Sequence, residues 1–395
     1  MIPLVSTISE TAEFATLRPE WDALVDAMDR PSPFLLHGWL LEWWRRLGRG
    51  RLTVHVAREG DRLTGALPMF VERRLGLNVA RFIGRDAAAL ADVLVADGAD
   101  PSTPARLVDL AAESGADFAD LFGLPEHSRL AAAAGDERLT LIPRAEAPVL
   151  DLEAGWDAAY RAKTSSKRRS LHRRRRRQLE QFGPVTFEVA RDLEELAPAL
   201  EEAFRLHDAR WRGRPEASGF STPDGQAFHR AALAALAPLG VPRIALLRVA
   251  GRAVACNYFF LLADTMYFHE LAFDPVLARW SPGQVATLAA LEAAAAEGAR
   301  RVEFLGGAER YKLELADRLE PLHQGLGLAA GLRGRTAVAA RVRSVHARRQ
   351  LKQTPARRFY YEGLAPARRM ARLASSATSA RRGISAPGRS PDRRP

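Results

Sequence analysis

Residues 266–312 read MYFHELAFDPVLARWSPGQVATLAALEAAAAEGARRVEFLGGAERYK. An apolar strand carries His269 and Glu270, and the turn Trp280-Ser281-Pro282-Gly283-Gln284 opens a long alanine-rich helix that Gly298 ends. A second short strand, RVEF, runs into Gly306 and Gly307, with Glu309, Tyr311 and Lys312 just beyond. A helix entered through Ser-Pro-Gly leaves backbone N–H groups unpaired at its start, and such groups attract phosphate. Ser281, Pro282, Gly283, Gln284 and Val285 are therefore the expected seat of a diphosphate. Ligands of open α/β sheets gather beyond the strand ends, which puts the polar cluster after the second strand beside the same crevice. The stretch predicts an α/β fold and a phosphate-bearing donor next to ionisable side chains, the outline of group transfer.

Outside this stretch, bulk composition sets limits. The 395 residues suffice for two or three domains. The lone cysteine, Cys256, lies in the apolar run AVACNYFFLL, so no disulfide framework or cysteine zinc site can form, in keeping with a reducing compartment. The first residues, MIPLVSTISETAEF, lack the basic start and apolar core of a secretory signal, and no apolar run reaches the roughly 18 residues that span a bilayer. A cytoplasmic protein is expected, at most peripheral to the inner face of the membrane. The net charge of +11 is uneven: from 333 onward there are 17 basic and two acidic residues, a block of the kind that marks interaction tails. A second basic block covers 163–177. The charge implies two local patches, not a surface that binds nucleic acid throughout.

The chain reads as two halves with one plan. In residues 1–150, helices around Trp21 and around Trp39, Trp43 and Trp44 precede a hairpin (52–57 and 63–71), short strands at 81–84 and 91–96, a helix at 101–114 that Asp100 can cap, and a closing strand at 116–123. In residues 185–332, a helix at 191–211 precedes a hairpin (244–249 and 253–262), then the strand, helix and strand quoted above. Both halves end on a glycine turn, Leu121-Phe122-Gly123 and Phe304-Leu305-Gly306. Between them, 151–184 reads as a basic helix ended by Gly183, and the end from Ser375 is too rich in Ser, Gly, Pro and Arg to bury a core.

Several motifs carry a resemblance. They are Phe34 with Trp39 and Trp43; Arg81-Phe82-Ile83-Gly84 ahead of Asp92; Lys167-Arg168-Arg169; Phe204-Arg205-Leu206-His207 ahead of Arg210-Trp211; Phe273-Asp274-Pro275 leading to Ser281-Pro282-Gly283; and Phe304 through Gly307 leading to Tyr311-Lys312. In their order and spacing, over roughly residues 15–325, the chain resembles the acetyltransferase family associated with bacterial cellulose and exopolysaccharide biosynthesis. That family belongs to the GNAT superfamily and is similar in layout to Fem-type aminoacyltransferases. The resemblance implies tandem GNAT-like units with mixed sheets: an N-terminal unit at 1–150, a basic helical linker at 151–184, a C-terminal unit at 185–332 with an acyl-CoA site, and a basic, partly disordered tail at 333–395. It implies acetyl-CoA as donor at the Pro282–Gly283 helix start, and a sugar or glycan precursor as acceptor. The chain departs from the commoner GNAT pyrophosphate turn, since Gly283 stands alone and Arg279 is one position out of register. Fem-type relatives use aminoacyl-tRNA, which keeps a Fem-like transferase open as the alternative. A non-catalytic scaffold of a polysaccharide complex is a third.

Catalysis of acyl transfer needs a base for the acceptor and an acid for the leaving group. Adjacent strand residues alternate in face, so one of His269 and Glu270 at most is expected to meet the cleft, and Glu270 with a raised pKa is the usable base. Tyr311 is the candidate acid. Lys312 can pair with a substrate phosphate or carboxylate. His207 and Trp211, one helical turn apart, can line the acceptor groove, and Asp92 the first half's side of it. The arginine run 173–177 suits polyanionic glycan, tRNA backbone or acidic lipid, without the interleaved aromatics that base stacking needs and without sequence-specific nucleic acid as partner. No metal site is expected from the histidine spacing.

Overall fold

The computed structural model describes residues 3–87, 89–212, 219–307 and 309–352; the serine- and proline-rich end and much of the basic block at 341–394 lie outside the described residues. The first half runs β1 (Leu4–Ile8), α1 (Thr11–Thr16), α2 (Arg18–Asp26), α3 (His37–Leu47), β2 (Arg51–Glu59), β3 (Arg62–Arg74), β4 (Leu77–Phe82), β5 (Leu94–Val95), α4 (Thr103–Ala112), β6 (Phe118–Pro125), α5 (Arg129–Ala134) and β7 (Leu139–Asp151). Next come α6 (Trp156–Lys163) and the basic helix α7 (Ser166–Glu180). The second half runs β8 (Val185–Ala190), α8 (Leu193–Trp211), α9 (Pro223–Leu236), β9 (Pro242–Val249), β10 (Arg252–Leu262), β11 (Thr265–Phe273), α10 (Pro282–Ala296), β12 (Arg301–Glu303), α11 (Arg310–Leu313) and β13 (Arg318–Gly327), followed by α12 (Gly331–Lys352). The described residues up to Val338 form one compact unit, which ends within α12.

The strands of the first unit join one mixed sheet in the order β1-β2-β3-β4-β6-β13-β7-β12-β11-β10-β9-β8, with β5 paired to β3. Two pairs are parallel, β4 with β6 and β11 with β12. The order is the same read inward from either end, except at the centre. There, β13 of the second half pairs with β6, and β7 of the first half pairs with β12. Each half thus lends its last strand to the other. The loan is why β6 does not close the first half, as the sequence suggests. Neither β7 nor β13 is legible as a strand, because Pro143 and Pro148 interrupt one and Pro321, Gly325 and Gly327 the other. Pro143 is tolerated because the β7–β13 register slips beside it, between Leu322 and His323.

One core cluster runs across both halves, uniting Trp21, Phe34 and Trp39 with Phe204, Phe228, Phe260 and Tyr267. It lies between the sheet and helices α2, α3, α8 and α9. Gly38 lets α3 approach α9, since a Cβ there would sit 2.9 Å from Ala235 Cβ. A separate cluster packs α4 and α5 on the first half, and a third packs α10 on the second. Glu303, 2% exposed, is held by Arg30 of the first half and by Arg301 at 2.6 Å. Both arginines also reach Glu320, at 2.8 and 2.9 Å. A buried carboxylate survives only with such partners.

At α4 the N-cap is Ser102, and Asp100 acts two residues earlier, accepting from the Ser102 N–H (2.9 Å) and hydroxyl (2.7 Å). Helix α7 ends ahead of Gly183 at φ +132°, as the sequence reading has it. No helix of the described residues is long and apolar enough to cross a membrane.

Candidate active site

The parallel seam between β11 and β12 is short. Only Thr265–Tyr267 pair with Arg301–Glu303, and then the strands part. The chain after β12 is drawn toward β7, where Phe304 N–H donates to Pro148 O (3.0 Å) and Gly307 N–H to Glu146 O (3.1 Å). From Phe268 to Phe273, β11 pairs with β10 alone. A wedge with an unpaired strand edge is left, and α11 lies beyond its other arm.

A β-bulge sits on that edge. Phe268 faces Phe259 and Glu270 faces Tyr258, so His269 has no opposite residue on β10. A bulge breaks the two-residue alternation. The expectation that His269 and Glu270 lie on opposite faces of the strand is therefore corrected. Both project toward the α8–α9 layer: His269 packs 5.5 Å from the His229 ring of α9, and Glu270 Oε1 lies 3.8 Å from His207 Nε2 of α8.

The two have different surroundings. His269 is ringed by aromatic side chains, with centroids of Phe34, Trp39, Tyr258 and Phe260 at 5.2–5.7 Å. Burial pulls its pKa down to about 4, so the imidazole is neutral at pH 7. Glu270 keeps a quarter of its side chain (25%) exposed. Burial raises its pKa to about 7, against the opposing pull of Arg210 and Lys312. A carboxylate with that affinity is matched to taking a proton at neutral pH.

His207 is buried, its Nδ1 hydrogen-bonded to Ser221 Oγ at 2.8 Å, and burial lowers its pKa to about 4. Trp211 stacks on it at 5.8 Å. Arg210, to which the sequence reading gave no role, binds the edge itself. Its guanidinium donates to Leu271 O and lies 4.8 Å from the Phe273 ring centre. The available signal was its position three residues after His207, on one face of α8.

On the other arm, Lys312 is buried and engaged, with Nζ 3.0 Å from Glu309 Oε2 and 3.5 Å from Gly306 O. Tyr311 packs against Phe268 at 6.4 Å. Burial, and then Glu309, push its pKa above that of an ordinary phenol. The hydroxyl stays protonated but is a weaker acid than the sequence reading assumed. Together with Gln284 and Thr287 of α10 and His172 of α7, Tyr311 lines a cavity of about 10 Å³, room for roughly one water.

The start of α10 differs from expectation. Pro282 has no N–H, Ser281 N–H donates to Ala278 O, and the Gln284 and Val285 N–H groups both donate to Ser281 O at 3.1 and 3.2 Å. Gly283 alone keeps a free amide among the five. A Cβ at Gly283 would sit 3.0 Å from Phe273 Cδ1, so its side-chain direction meets packed structure. Thr287 takes the Gly283 carbonyl at 2.8 Å. Pro282, Gly283 and Val285 are buried. One amide is a poor fit for a diphosphate, and no step is assigned to this turn.

Asp92 is occupied as well. It accepts from the Val93 (2.8 Å), Arg129 (2.8 Å) and Leu130 (3.0 Å) amides and the Ser128 hydroxyl (2.8 Å), holding the start of α5. Its place in an acceptor groove is thereby corrected to a structural one. Trp39 is fully buried core, and Cys256 is buried with its thiol pushed up to about 12. No group of three metal-ligating side chains converges among the described residues.

Residues 166–313 match the acetyltransferase (GNAT) domain family. No curated protein matches the chain. Among solved structures the chain is similar to FemX, at 11% identity and a TM-score of 0.57, over 81% of this chain and 96% of that one. It is similar to the C-terminal domain of a protein described as a lysylphosphatidylglycerol synthetase from Agrobacterium fabrum, at 15% identity and a TM-score of 0.56, over 85% and 96%. It is similar, too, to a conserved protein of unknown function from Bacteroides thetaiotaomicron, at 13% identity and a TM-score of 0.53, over 83% and 100%. At such identities the likeness is one of fold. Residues 166–313 match the GNAT acetyltransferase domain, and the chain is an α/β protein whose two halves, alike in strand order, share one large mixed sheet with the basic helix α7 in the chain between β7 and β8.

Proposed function

We propose that the protein is an acyltransferase that moves an acyl group, acetyl on the family resemblance, from an activated donor to an amine or hydroxyl of a sugar or glycan precursor. The observation that carries this reading is Glu270. It is a carboxylate with a pKa of about 7, set on a bulged, unpaired strand edge in a GNAT-type domain. The acceptor loses its proton to Glu270 as it attacks the acyl carbonyl. His269 and His207, both neutral, shape the wall beside it, and Trp211, stacked on His207 with Arg210 5.7 Å from its ring centre, is the candidate neighbour of the acceptor sugar. Tyr311, held protonated, can hydrogen-bond the departing group. Acyl-CoA is the donor that the family resemblance favours, and a cytoplasmic place in polysaccharide or cell-envelope biosynthesis goes with it. The functional units of this reading are 1–150, 151–184, 185–332 and the tail 333–395.

Thiol release from acetyl-CoA in the presence of a panel of amino sugars and sugar alcohols tests the reading. Glu270→Gln should lower turnover by about 10²–10⁴-fold, the usual worth of a general base. Wild-type turnover by that variant rejects the mechanism.

A second reading, transfer from aminoacyl-tRNA, is favoured by the α10 start, which offers a diphosphate so little. Incubation with charged tRNA and with acetyl-CoA, scored by which donor is consumed, separates the two.

A further inference from the structure

The two most exposed large apolar side chains among the described residues are Leu75, 96% exposed, and Leu332, 79% exposed. They belong to different elements but to one corner of the fold. Leu75 and Gly76 form the two-residue turn between β3 and β4, and Leu332 lies in the first turn of α12. The Arg333 guanidinium donates to the Gly76 carbonyl. Asp117, just before β6, ties the two elements together. Its amide donates to Asn78 O (2.7 Å), its carboxylate accepts from Asn78 N–H (2.7 Å), and its carbonyl accepts from Ala330 N–H (3.0 Å). A Cβ on Gly334 would come within 2.0 Å of that carbonyl, so glycine is what lets the helix start pack so closely. A leucine at the β3–β4 turn brings no folding advantage. Leu75 has φ +50° and Gly76 φ +79°, a left-handed pair that asparagine and glycine ordinarily fill, and the leucine side chain buries almost none of itself.

The surround is cationic. Arg73 and Arg74 precede the turn, Arg333 and Arg335 follow Leu332, and all four are exposed. Arg73, Arg74 and Arg335 have no carboxylate partner among the described residues. Neither β4 nor α12 contains an acidic residue, and Glu72 of β3 is engaged by Arg81 (2.6 Å) and Arg85 (3.3 Å). The chain beyond adds to the excess, with 17 basic and two acidic residues from 333 onward. We infer that this corner docks on an anionic lipid bilayer. Leu75 and Leu332 enter the boundary between headgroups and acyl chains, and the four arginines meet the lipid phosphates. Exposed leucines gain nothing on a nucleic acid backbone, whereas apolar tips set among surface cations are what holds a protein on an acidic membrane. The inference is independent of the acyltransferase reading, since none of these residues belongs to the candidate site.

Cosedimentation of the full chain with vesicles of equimolar phosphatidylglycerol and phosphatidylcholine, at physiological ionic strength, tests the inference. The wild type should bind them and leave pure phosphatidylcholine vesicles in suspension unbound. Leu75→Ser with Leu332→Ser, which keeps every charge, should weaken binding by at least about tenfold. Arg73→Gln with Arg74→Gln should weaken it by about tenfold as well. Leu4→Ser with Leu239→Ser removes two exposed leucines elsewhere and should change binding by no more than about twofold. Insertion is read directly from Leu75→Cys carrying a nitrobenzoxadiazole label, the native Cys256 being buried. Its emission should shift to the blue on anionic vesicles, while the same label at Leu4→Cys should not move. Wild-type binding by the leucine pair leaves only the charge of the tail and overturns the inference, as does equal loss in the control pair. Retention of tRNA but not of vesicles, dependent on Arg73 and Arg74, makes the corner an RNA surface instead. A dimer in solution that Leu75→Ser with Leu332→Ser dissolves, with vesicle binding unaffected, makes the partner a second copy of the chain and overturns it too. Circular dichroism of each variant controls for folding.

Discussion

The Glu270 carboxylate lies 3.8 Å from the His207 imidazole, and each has been moved from its ordinary titration in the direction that leaves it uncharged. Burial is the cause in both. At pH 7 the histidine is neutral and cannot neutralise the carboxylate, so Glu270 remains a base whose strength is set chiefly by desolvation and by Arg210.

A pH profile follows. Turnover should rise as Glu270 loses its proton, with a midpoint near pH 7. Arg210→Met removes the largest opposing charge and should move that midpoint upward, while Glu270→Gln abolishes the limb. A midpoint near 4.5 in the wild type, measured as kcat/KM against pH, contradicts the raised pKa, and a limb that persists in Glu270→Gln excludes Glu270 as the titrating base.

Stability should depend on Glu270 in the opposite sense to a paired carboxylate. Its folded pKa lies above the unfolded value of 4.5, so the folded state holds the proton more tightly. Stability from this group is complete below pH 4.5 and is lost as pH rises toward 7. Glu270→Gln should raise Tm at pH 8, by the equivalent of about 1–3 kcal/mol, and change little at pH 4. Equal Tm values at pH 8 contradict the burial argument.

Three histidines work the other way. His55, His207 and His269 each have folded pKa values near 4, below the ordinary 6.5. Their contribution is present above pH 6.5 and is lost as pH falls through 6.5 to 4. The urea midpoint should drop across that window more steeply in the wild type than in His269→Gln. Parallel curves show that His269 does not carry the effect.

Asp92→Ala should cost about 2 kcal/mol, because three donors at the start of α5 and the Val93 amide lose their acceptor. Acceptor KM should not change once folding is matched. A KM effect without loss of stability returns Asp92 to the acceptor groove.

Gly283→Ala probes the α10 start. The new methyl meets Phe273 Cδ1 at 3.0 Å, so the ring must give by a few tenths of an ångström. Tm should fall slightly, and coenzyme A affinity should stay within about threefold of wild type. A tenfold loss of affinity assigns the diphosphate to this turn.

The sequence by itself determined the local elements around the site. Alternating apolar runs marked β9, β10 and β11, Pro282 and Gly298 bounded α10, and Gly183 followed the end of α7, because turn chemistry and periodicity act over a few residues. It placed Glu270 on β11 and His207 on α8, and Tyr311 just past β12, without the short helix α11 that carries it. The tertiary structure decided the rest. Exchange of β7 and β13 depends on pairings between residues more than 150 apart, and prolines hid both strands. The bulge that turns His269 and Glu270 to one face exists only in register with β10. The fate of the amides before α10 was set by Ser281 at φ +54°, whose carbonyl accepts two of them. Neutralisation of a charge depends on what folds beside it, which is why Arg168 of α7 found Glu314 just past α11.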